Sequence, residues 1–307
     1  MDQIKPANHI SSIFMLLLTA FIWGTAFVAQ SVGMDYIGPF TFNGVRFTIG
    51  GIVLLPLVFL RRRSAAQKVY DFHHSEKTPS LWLAGLCCGF ALFLGSTFQQ
   101  TSMLYTSVGK AGFITALYIV LVPIFGIFFG KKAAKRIWIG VGAAVVGLYL
   151  LCVTDSITNL NFGDCLLFLA AISFAAHILV IDRFSPYHDG VQLSCLQFFF
   201  SGAFSLVAMF PFETPHIADI LAAWMPLLYT GAISCGVAYT LQIVAQKNTD
   251  PTVASLLMSM ESVFAVLAGW VLLHQTLSGR EIIGCCLMFF AIILANLPDK
   301  DAERRKS

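Results

Sequence analysis

The sequence predicts an all-α integral membrane protein with ten transmembrane helices, arranged as two inverted five-helix repeats. Three observations lead to this prediction: the composition, the length of the apolar runs and the distribution of positive charge. Of the 307 residues, 57% are hydrophobic and only 11% are charged. A soluble domain has about 25% charged residues, so this chain has too little charge to cover a soluble surface of its size. The net charge of +3 is small and gives no reason to expect a nucleic-acid partner.

The apolar residues form long runs. The first run, 11–31, contains no charged residue at all. About 20 apolar residues cross a bilayer as a helix, and only helices and closed barrels satisfy their backbone groups in lipid. The runs lack the alternation of barrel strands, so we predict helices. The predicted spans are 11–31, 38–60, 80–106, 108–130, 137–153, 163–181, 191–210, 224–245, 251–273 and 281–297.

Positive charge lies almost entirely on one side of these spans. If both termini are cytoplasmic, sixteen of the 19 lysine and arginine residues are cytoplasmic or close to the cytoplasmic helix ends. Only Lys110 and Arg280 fall on the opposite side, and Arg46 lies within a span. Cytoplasmic loops of membrane proteins are enriched in Lys and Arg. The asymmetry predicts cytoplasmic termini and therefore an even number of spans, in a plasma or inner cell membrane.

The two halves of the chain share weak internal similarity. The segment 136–140 (RIWIG) aligns with 280–284 (REIIG), and Gly51 aligns with Gly202 in the corresponding spans. This predicts a first repeat over 11–153 and a second over 163–297, followed by a cytoplasmic tail, 298–307. Because each repeat has an odd number of helices, the second must enter the membrane with the opposite orientation. Inverted repeats of this kind place substrate near the midplane and open to either side.

Several segments resemble a known family. The stretches 21–27 (FIWGTAF), 111–118 (AGFITALY) and 260–265 (MESVFA) are similar to segments of the first, fourth and ninth helices of EamA-domain proteins in the drug/metabolite transporter superfamily. The resemblance implies a central cavity surrounded by helices one to four and six to nine. It also implies transport of small organic metabolites, in many members outward. The sequence departs from the family at His274-Gln275, where Gly-Glu is common.

Two buried charges are the main candidates for substrate binding. Glu261 lies about eleven residues from either end of the ninth span, and at about 1.5 Å per residue it is roughly 15 Å deep. An ionisable group there costs about 2.5–3.5 kcal/mol, so it is expected to bind a substrate cation, to carry a coupling proton or to act as a structural carboxyl. Arg46 in the second span is expected to bind a substrate carboxylate, to pair with Glu261 or to cap backbone carbonyls. If both face one cavity, they would complement an amino acid zwitterion.

Further candidates are aromatic or polar residues within the spans. Each has an alternative role in packing or in hydrogen bonding between helices. They are Trp23, Asn43, Gln100, Tyr118, His177, Gln197, Tyr239 and Gln242, and Gln99 is a further polar residue of the same kind within a span. Small-xxx-small patterns such as Gly140-xxx-Ala144 and Ala143-xxx-Gly147 are expected to mark close helix contacts.

The function predicted from these features is a secondary transporter that exports a small organic metabolite such as an amino acid. The alternative is a membrane channel or a non-transporting membrane scaffold. An enzyme is disfavoured because Glu261 is the only acidic residue deep in a span, with no catalytic cluster around it. No cofactor or metal site is predicted, since no cysteine pair has zinc-ligand spacing. The expected partners are the small-molecule substrate, the lipid bilayer and a coupling proton, with the chain a monomer or homodimer.

Overall fold

The computed structural model describes residues 6–68, 79–106, 108–128, 130, 134–152, 161–273 and 278–296. These residues are helical almost throughout and include no strand. The helices are α1 Pro6–Gly33, α2 Pro39–Lys68, α3 Leu81–Ser102, α4 Val108–Ala116, α5 Tyr118–Phe128, α6 Lys135–Cys152, α7 Phe162–Phe184, α8 Gly190–Phe212, α9 Ile217–Ala222, α10 Trp224–Leu228, α11 Thr240–Gln246, α12 Pro251–Met258, α13 Glu261–Leu273 and α14 Gly279–Asn296. A 3-10 turn, Ser185–Tyr187, follows α7, and a π-helical segment, Tyr229–Tyr239, joins α10 to α11.

Within the described residues, seven helical segments are long and apolar enough to cross a membrane. They are Ile10–Gly33, Pro39–Arg61, Leu81–Ser102, Ala111–Phe128, Phe162–Tyr187, Gly190–Phe212 and Trp224–Gln246. The other three predicted spans lie on α6, on the pair α12 and α13, and on α14. An all-helical protein with several membrane spans is thus confirmed, whereas the count of ten crossings and the inverted repeat stay predictions. The predicted tail, 298–307, lies outside the described residues.

Two of the predicted spans are interrupted, which corrects the expectation of continuous helices. The fourth span divides at Leu117, between α4 and α5, and the ninth divides at Ser259 and Met260, between α12 and α13. In the ninth span, the hydroxyls of Ser255 and Ser259 donate to Thr252 O and Leu256 O, both at 2.8 Å. Serine hydroxyls that bond back to the preceding turn weaken or bend helices. The sequence analysis overlooked this local signal.

Helices α2 and α8 are joined at both of their ends. The Glu213 carboxylate, just after α8, accepts hydrogen bonds from Phe40 N and Thr41 N at the start of α2, each 2.8 Å long. At the opposite end, Arg61 forms an ion pair of 3.2 Å with Asp189. Asp189 also caps the first turn of α8 through Val191 N and Gln192 N. The carboxylates satisfy amide groups that the first turn of a helix leaves without intrahelical partners.

Helices α6 and α14 pack against each other through glycine. A Cβ added at Gly147 would lie 2.9 Å from Gly284 O, and one at Gly284 would lie 2.8 Å from Gly147 O. At Gly140 an added Cβ would lie 3.2 Å from Ala291 O. Small residues allow helix backbones to approach closely in membranes. The expectation that Gly140 and Gly147 mark a helix contact is therefore confirmed.

We expect Gly147→Val to destabilise the protein, because the new side chain has no space between α6 and α14. Overpacking of this kind costs about 1–3 kcal/mol. The matched control is Gly142→Val on the same helix, where an added Cβ meets nothing within 4 Å. Thermal unfolding of the purified protein in detergent is the measurement. Equal melting temperatures for the two variants would contradict the assignment.

Candidate functional site

A small polar cavity lies at the centre of the helix bundle. Its volume is about 40 Å³, enough for a few water molecules. Thirteen of its fifteen lining residues are buried and the other two, Trp23 and Phe174, are half-buried. The lining residues are Trp23, Phe27, Gln30, Arg46, Gln99, Thr115, Tyr118, Phe174, His177, Ile178, Ser234, Tyr239, Gln242, Met258 and Glu261.

The carboxylate of the cavity belongs to Glu261, the first residue of α13. Its side chain is 4% exposed. The Tyr118 hydroxyl, on the first residue of α5, donates to Glu261 Oε1 at 3.4 Å. Both residues thus begin a helix directly after an interruption. Gly24 of α1 packs against this region, since a Cβ there would lie 2.5 Å from Glu261 O. Glycine at position 24 therefore allows α1 to reach the backbone beside Glu261.

The cation of the cavity belongs to Arg46 on α2, which is also 4% exposed. Its Nη1 donates to Gln30 Oε1 at 2.8 Å. Its guanidinium lies 4.9 Å from the ring centre of Phe47 and 5.5 Å from that of Phe42, and such cation–π contacts are attractive. Arg46 Nε has no hydrogen-bond partner within the described part of the chain. The guanidinium of Arg46 is therefore contacted by the uncharged side chains of Gln30, Phe42 and Phe47.

Arg46 and Glu261 line the same cavity but do not form an ion pair with each other. The alternative in which Arg46 is neutralised by Glu261 is therefore not the arrangement in this structure. A guanidinium with an unused N–H can bind a carboxylate, and a carboxylate beside aromatic rings can bind an amine. Together they supply one positive and one negative group to the same cavity.

Aromatic side chains form one wall of the cavity. Trp23 on α1 and Tyr239 at the end of the π-helical segment lie with ring centroids 4.6 Å apart. His177 on α7 packs edge-on to Tyr239 at 6.0 Å, and its Nε2 is 3.0 Å from Gln197 Oε1 on α8. These rings give an apolar surface with polar edges, which suits an organic ligand.

The structure brings together seven of the ten predicted site residues. Glu261, Arg46, Trp23, Tyr118, His177, Tyr239 and Gln242 all line the cavity. The other three do not line it. Gln197 does not line the cavity but contacts the lining residue His177. Gln100 donates a hydrogen bond to Gln30 O at 3.0 Å. Asn43 is fully buried, and neither polar atom of its side chain has a hydrogen-bond partner among the described residues. Direct contact of any of these ten residues with substrate stays a prediction. His274 and Gln275, where the sequence departs from the family pattern, lie outside the described residues.

The sequence analysis missed Gln30, which holds Arg46 in place. Trp23, Phe27 and Gln30 recur at spacings of four and three, so they share one face of α1. Trp23 was already a candidate for the site. The position of Gln30 on the same helix face was therefore the signal that could have identified Gln30 as a lining residue. Phe174 on α7 was missed in the same way, since it precedes His177 by three residues. Ser234 gave no such signal, because the π-helical segment changes the periodicity of its helix.

The fold and the cavity define a multi-spanning membrane protein with a small polar cavity at its centre. Comparison with known proteins gives the family. The model of the EamA-like transporter family matches the chain at residues 10–153 and again at 161–297. The chain belongs to this family and is a membrane transporter.

Relatives extend over nearly the whole chain. An uncharacterized transporter of Archaeoglobus fulgidus is 33% identical over 284 residues, covering 92% of this chain and 84% of the relative. The uncharacterized inner membrane transporter YedA of Escherichia coli K12 is 24% identical, covering 90% and 87%. A crystal structure at 20% identity, covering 97% of this chain and 100% of its own, superposes with a TM-score of 0.76. That structure shows the fold alone.

We expect Gln30→Leu to destabilise the protein, because it removes the acceptor that Arg46 Nη1 uses. Leaving a buried charged donor unpaired costs about 1–3 kcal/mol or more. The matched control is Gln99→Leu in the same cavity, where the amide bonds a neutral hydroxyl, Thr115 Oγ1, at 3.4 Å. Melting temperatures of the purified variants are compared, and a larger loss for Gln99→Leu would contradict the role of Gln30.

Proposed function

We propose that this chain is a secondary transporter that exports a small organic metabolite, with amino acids as the substrate class. The observation that carries the proposal is the pair of opposite charges, Arg46 and Glu261, buried in one cavity without pairing. A zwitterionic amino acid supplies a carboxylate for Arg46 and an ammonium group for Glu261. The rings of Trp23 and Tyr239 would cover its apolar part.

The proposal includes an inverted repeat of five plus five helices. The two family matches, at 10–153 and 161–297, support two related halves. The interruptions support it as well, because they fall in the fourth predicted span of each half, at Leu117 and at Ser259–Met260. Interrupted helices in corresponding positions of two halves are typical of a midplane binding site. The bias of lysine and arginine supports cytoplasmic termini.

The size of the cavity favours a carrier over a channel or a scaffold. A volume of about 40 Å³ holds a few waters, which is less than an amino acid needs. Substrate entry would therefore require the surrounding helices to separate, first on one side and then on the other. A channel would instead keep a continuous open path, and a scaffold would have no use for two buried charges.

Proton coupling is the proposed energy source. Glu261 is the acidic group of the cavity, and Tyr118 contacts it from the opposite interrupted helix. A carboxylate that alternates between holding a proton and holding the substrate ammonium would exchange one for the other. Export would then follow from proton entry in the opposite direction.

Counterflow in liposomes tests the function. Vesicles containing the purified protein are loaded with one unlabelled amino acid or sugar at a time, and uptake of the same labelled compound is followed. We expect counterflow of at least one amino acid, and acceleration of net efflux by an opposing proton gradient. Flux of many unrelated solutes without counterflow would indicate a channel. Absence of flux in functional vesicles, verified by a co-reconstituted transporter, would favour a scaffold.

We expect Arg46→Gln and Glu261→Gln each to reduce counterflow by at least tenfold, because each variant loses one of the two charges that bind substrate. Glu261→Gln should also abolish the effect of the proton gradient on any residual flux. The control is Asp219→Asn, the same acid-to-amide change on the exposed helix α9. Near-normal counterflow by both cavity variants would refute the site.

A further inference from the structure

A second cavity lies on the outside of the bundle, between α5, α7 and the 3-10 turn after α7. Its volume is about 640 Å³, within the range of roughly 300–1,000 Å³ that small-molecule sites occupy. Its walls are almost entirely apolar. They include Phe125, Ala176, Leu179, Val180, Pro186 and Tyr187.

This groove opens towards the bilayer, on the side of α7 away from the central cavity. Phe174, His177 and Ile178 form the cavity face of α7. Ala176, Val180 and Arg183 recur at spacings of four and three and therefore share the other face. The same stripe continues towards the start of α7 with Phe168 and Leu169, which are 49% and 42% exposed. An exposed apolar stripe on a membrane-spanning helix contacts lipid.

Ala176 has the smallest side chain among the residues that line the groove. Its neighbours along the stripe, Leu169 and Val180, have larger side chains. A side chain of their size at position 176 would extend into the groove between α5 and α7. Phe125 of α5 forms the facing wall. From Ala176 to Phe184 the lining of the groove follows α7 for about 12 Å at about 1.5 Å per residue, and an apolar groove of this length suits a flexible hydrocarbon chain.

One end of the groove carries charge. Asp182 and Arg183 line it there, in the last turn of α7. Arg183 is exposed and makes no ion pair with any other residue that the structure describes. The end of a membrane span is the level of the lipid headgroups, where long basic side chains extend from apolar surroundings to water.

We propose that this groove is a phospholipid-binding site, with an acyl chain lying along Ala176 and Phe125 and the headgroup phosphate bound by Arg183. Arginine matches a phosphate with two parallel hydrogen bonds. The apolar walls complement the chain and the cation complements the phosphate, so one molecule satisfies both parts of the groove. This site is separate from the central cavity and does not depend on the substrate proposed above.

Lipid retention in native mass spectrometry tests the site. The detergent-solubilised protein is titrated with phosphatidylglycerol, with diacylglycerol of the same acyl chains, or with inorganic phosphate. We expect one tightly held phosphatidylglycerol, retained at concentrations at least tenfold lower than diacylglycerol. Inorganic phosphate should not displace it. Displacement by phosphate alone would indicate a free-anion site and overturn the proposal.

Single-residue variants distinguish the contribution of the charged end of the groove from that of its apolar walls. Arg183→Gln should bring the retention of phosphatidylglycerol down to that of diacylglycerol, and Arg183→Lys should keep part of the difference. Ala176→Leu should weaken retention of both lipids by filling the groove. Leu169→Phe, on the same stripe but outside the groove, is the matched control and should bind as the unmodified protein does. Unchanged retention by Arg183→Gln or by Ala176→Leu would overturn the proposal.

Discussion

The central constraint on this protein is the cost of keeping two charges inside a bundle surrounded by lipid. Arg46 and Glu261 are each 4% exposed and do not pair with each other, although an ionisable group in mid-bilayer costs about 2.5–3.5 kcal/mol even on insertion scales. The surrounding residues offset part of this cost. Gln30 accepts from Arg46, the rings of Phe42 and Phe47 stack on its guanidinium, and the Tyr118 hydroxyl donates to Glu261. A direct ion pair would offset more, so the separation of the two charges is a feature of the site that a substrate can use.

The helix interruptions coincide with residues that line the cavity. An uninterrupted helix uses its amide and carbonyl groups internally and can offer only side chains to a cavity. At Leu117 and at Ser259–Met260 the helices divide, and the next helix begins with the residue whose side chain enters the cavity, Tyr118 in one case and Glu261 in the other. The two interruptions thus bring the Tyr118 hydroxyl and the Glu261 carboxylate to the same level of the bundle, 3.4 Å apart.

Composition and charge bias were sufficient to predict the class of fold, because a chain that spans a bilayer can satisfy its backbone hydrogen bonds only as helices or as a closed barrel. Depth within a span was sufficient to select Arg46 and Glu261, since few ionisable residues lie far from a helix end. The same reasoning was insufficient for Asn43, Gln100 and Gln197, which also lie within the predicted spans but do not line the cavity. Which way a polar residue faces depends on the rotation of its helix about its axis, and this is set by packing partners far away in sequence. Gly24 illustrates the point: its role is visible only beside Glu261 O, and nothing local in the sequence around it indicates that neighbour.

Pairs of helices differ in the kind of contact that joins them, and these differences bear on how the cavity could open. Helix α2 is tied to α8 at both ends, by Glu213 and by the Arg61–Asp189 pair, and α6 is tied to α14 through the Gly147–Gly284 approach. The interrupted helix α13 is held against α1 by the close approach at Gly24, and it meets α5 across the cavity through the 3.4 Å contact of Tyr118 with Glu261. On the proposed mechanism, a substrate ammonium that binds Glu261 competes with this very contact. The group proposed to bind the substrate is thus also one that joins the two interrupted helices, so substrate binding would act directly on the contact between them.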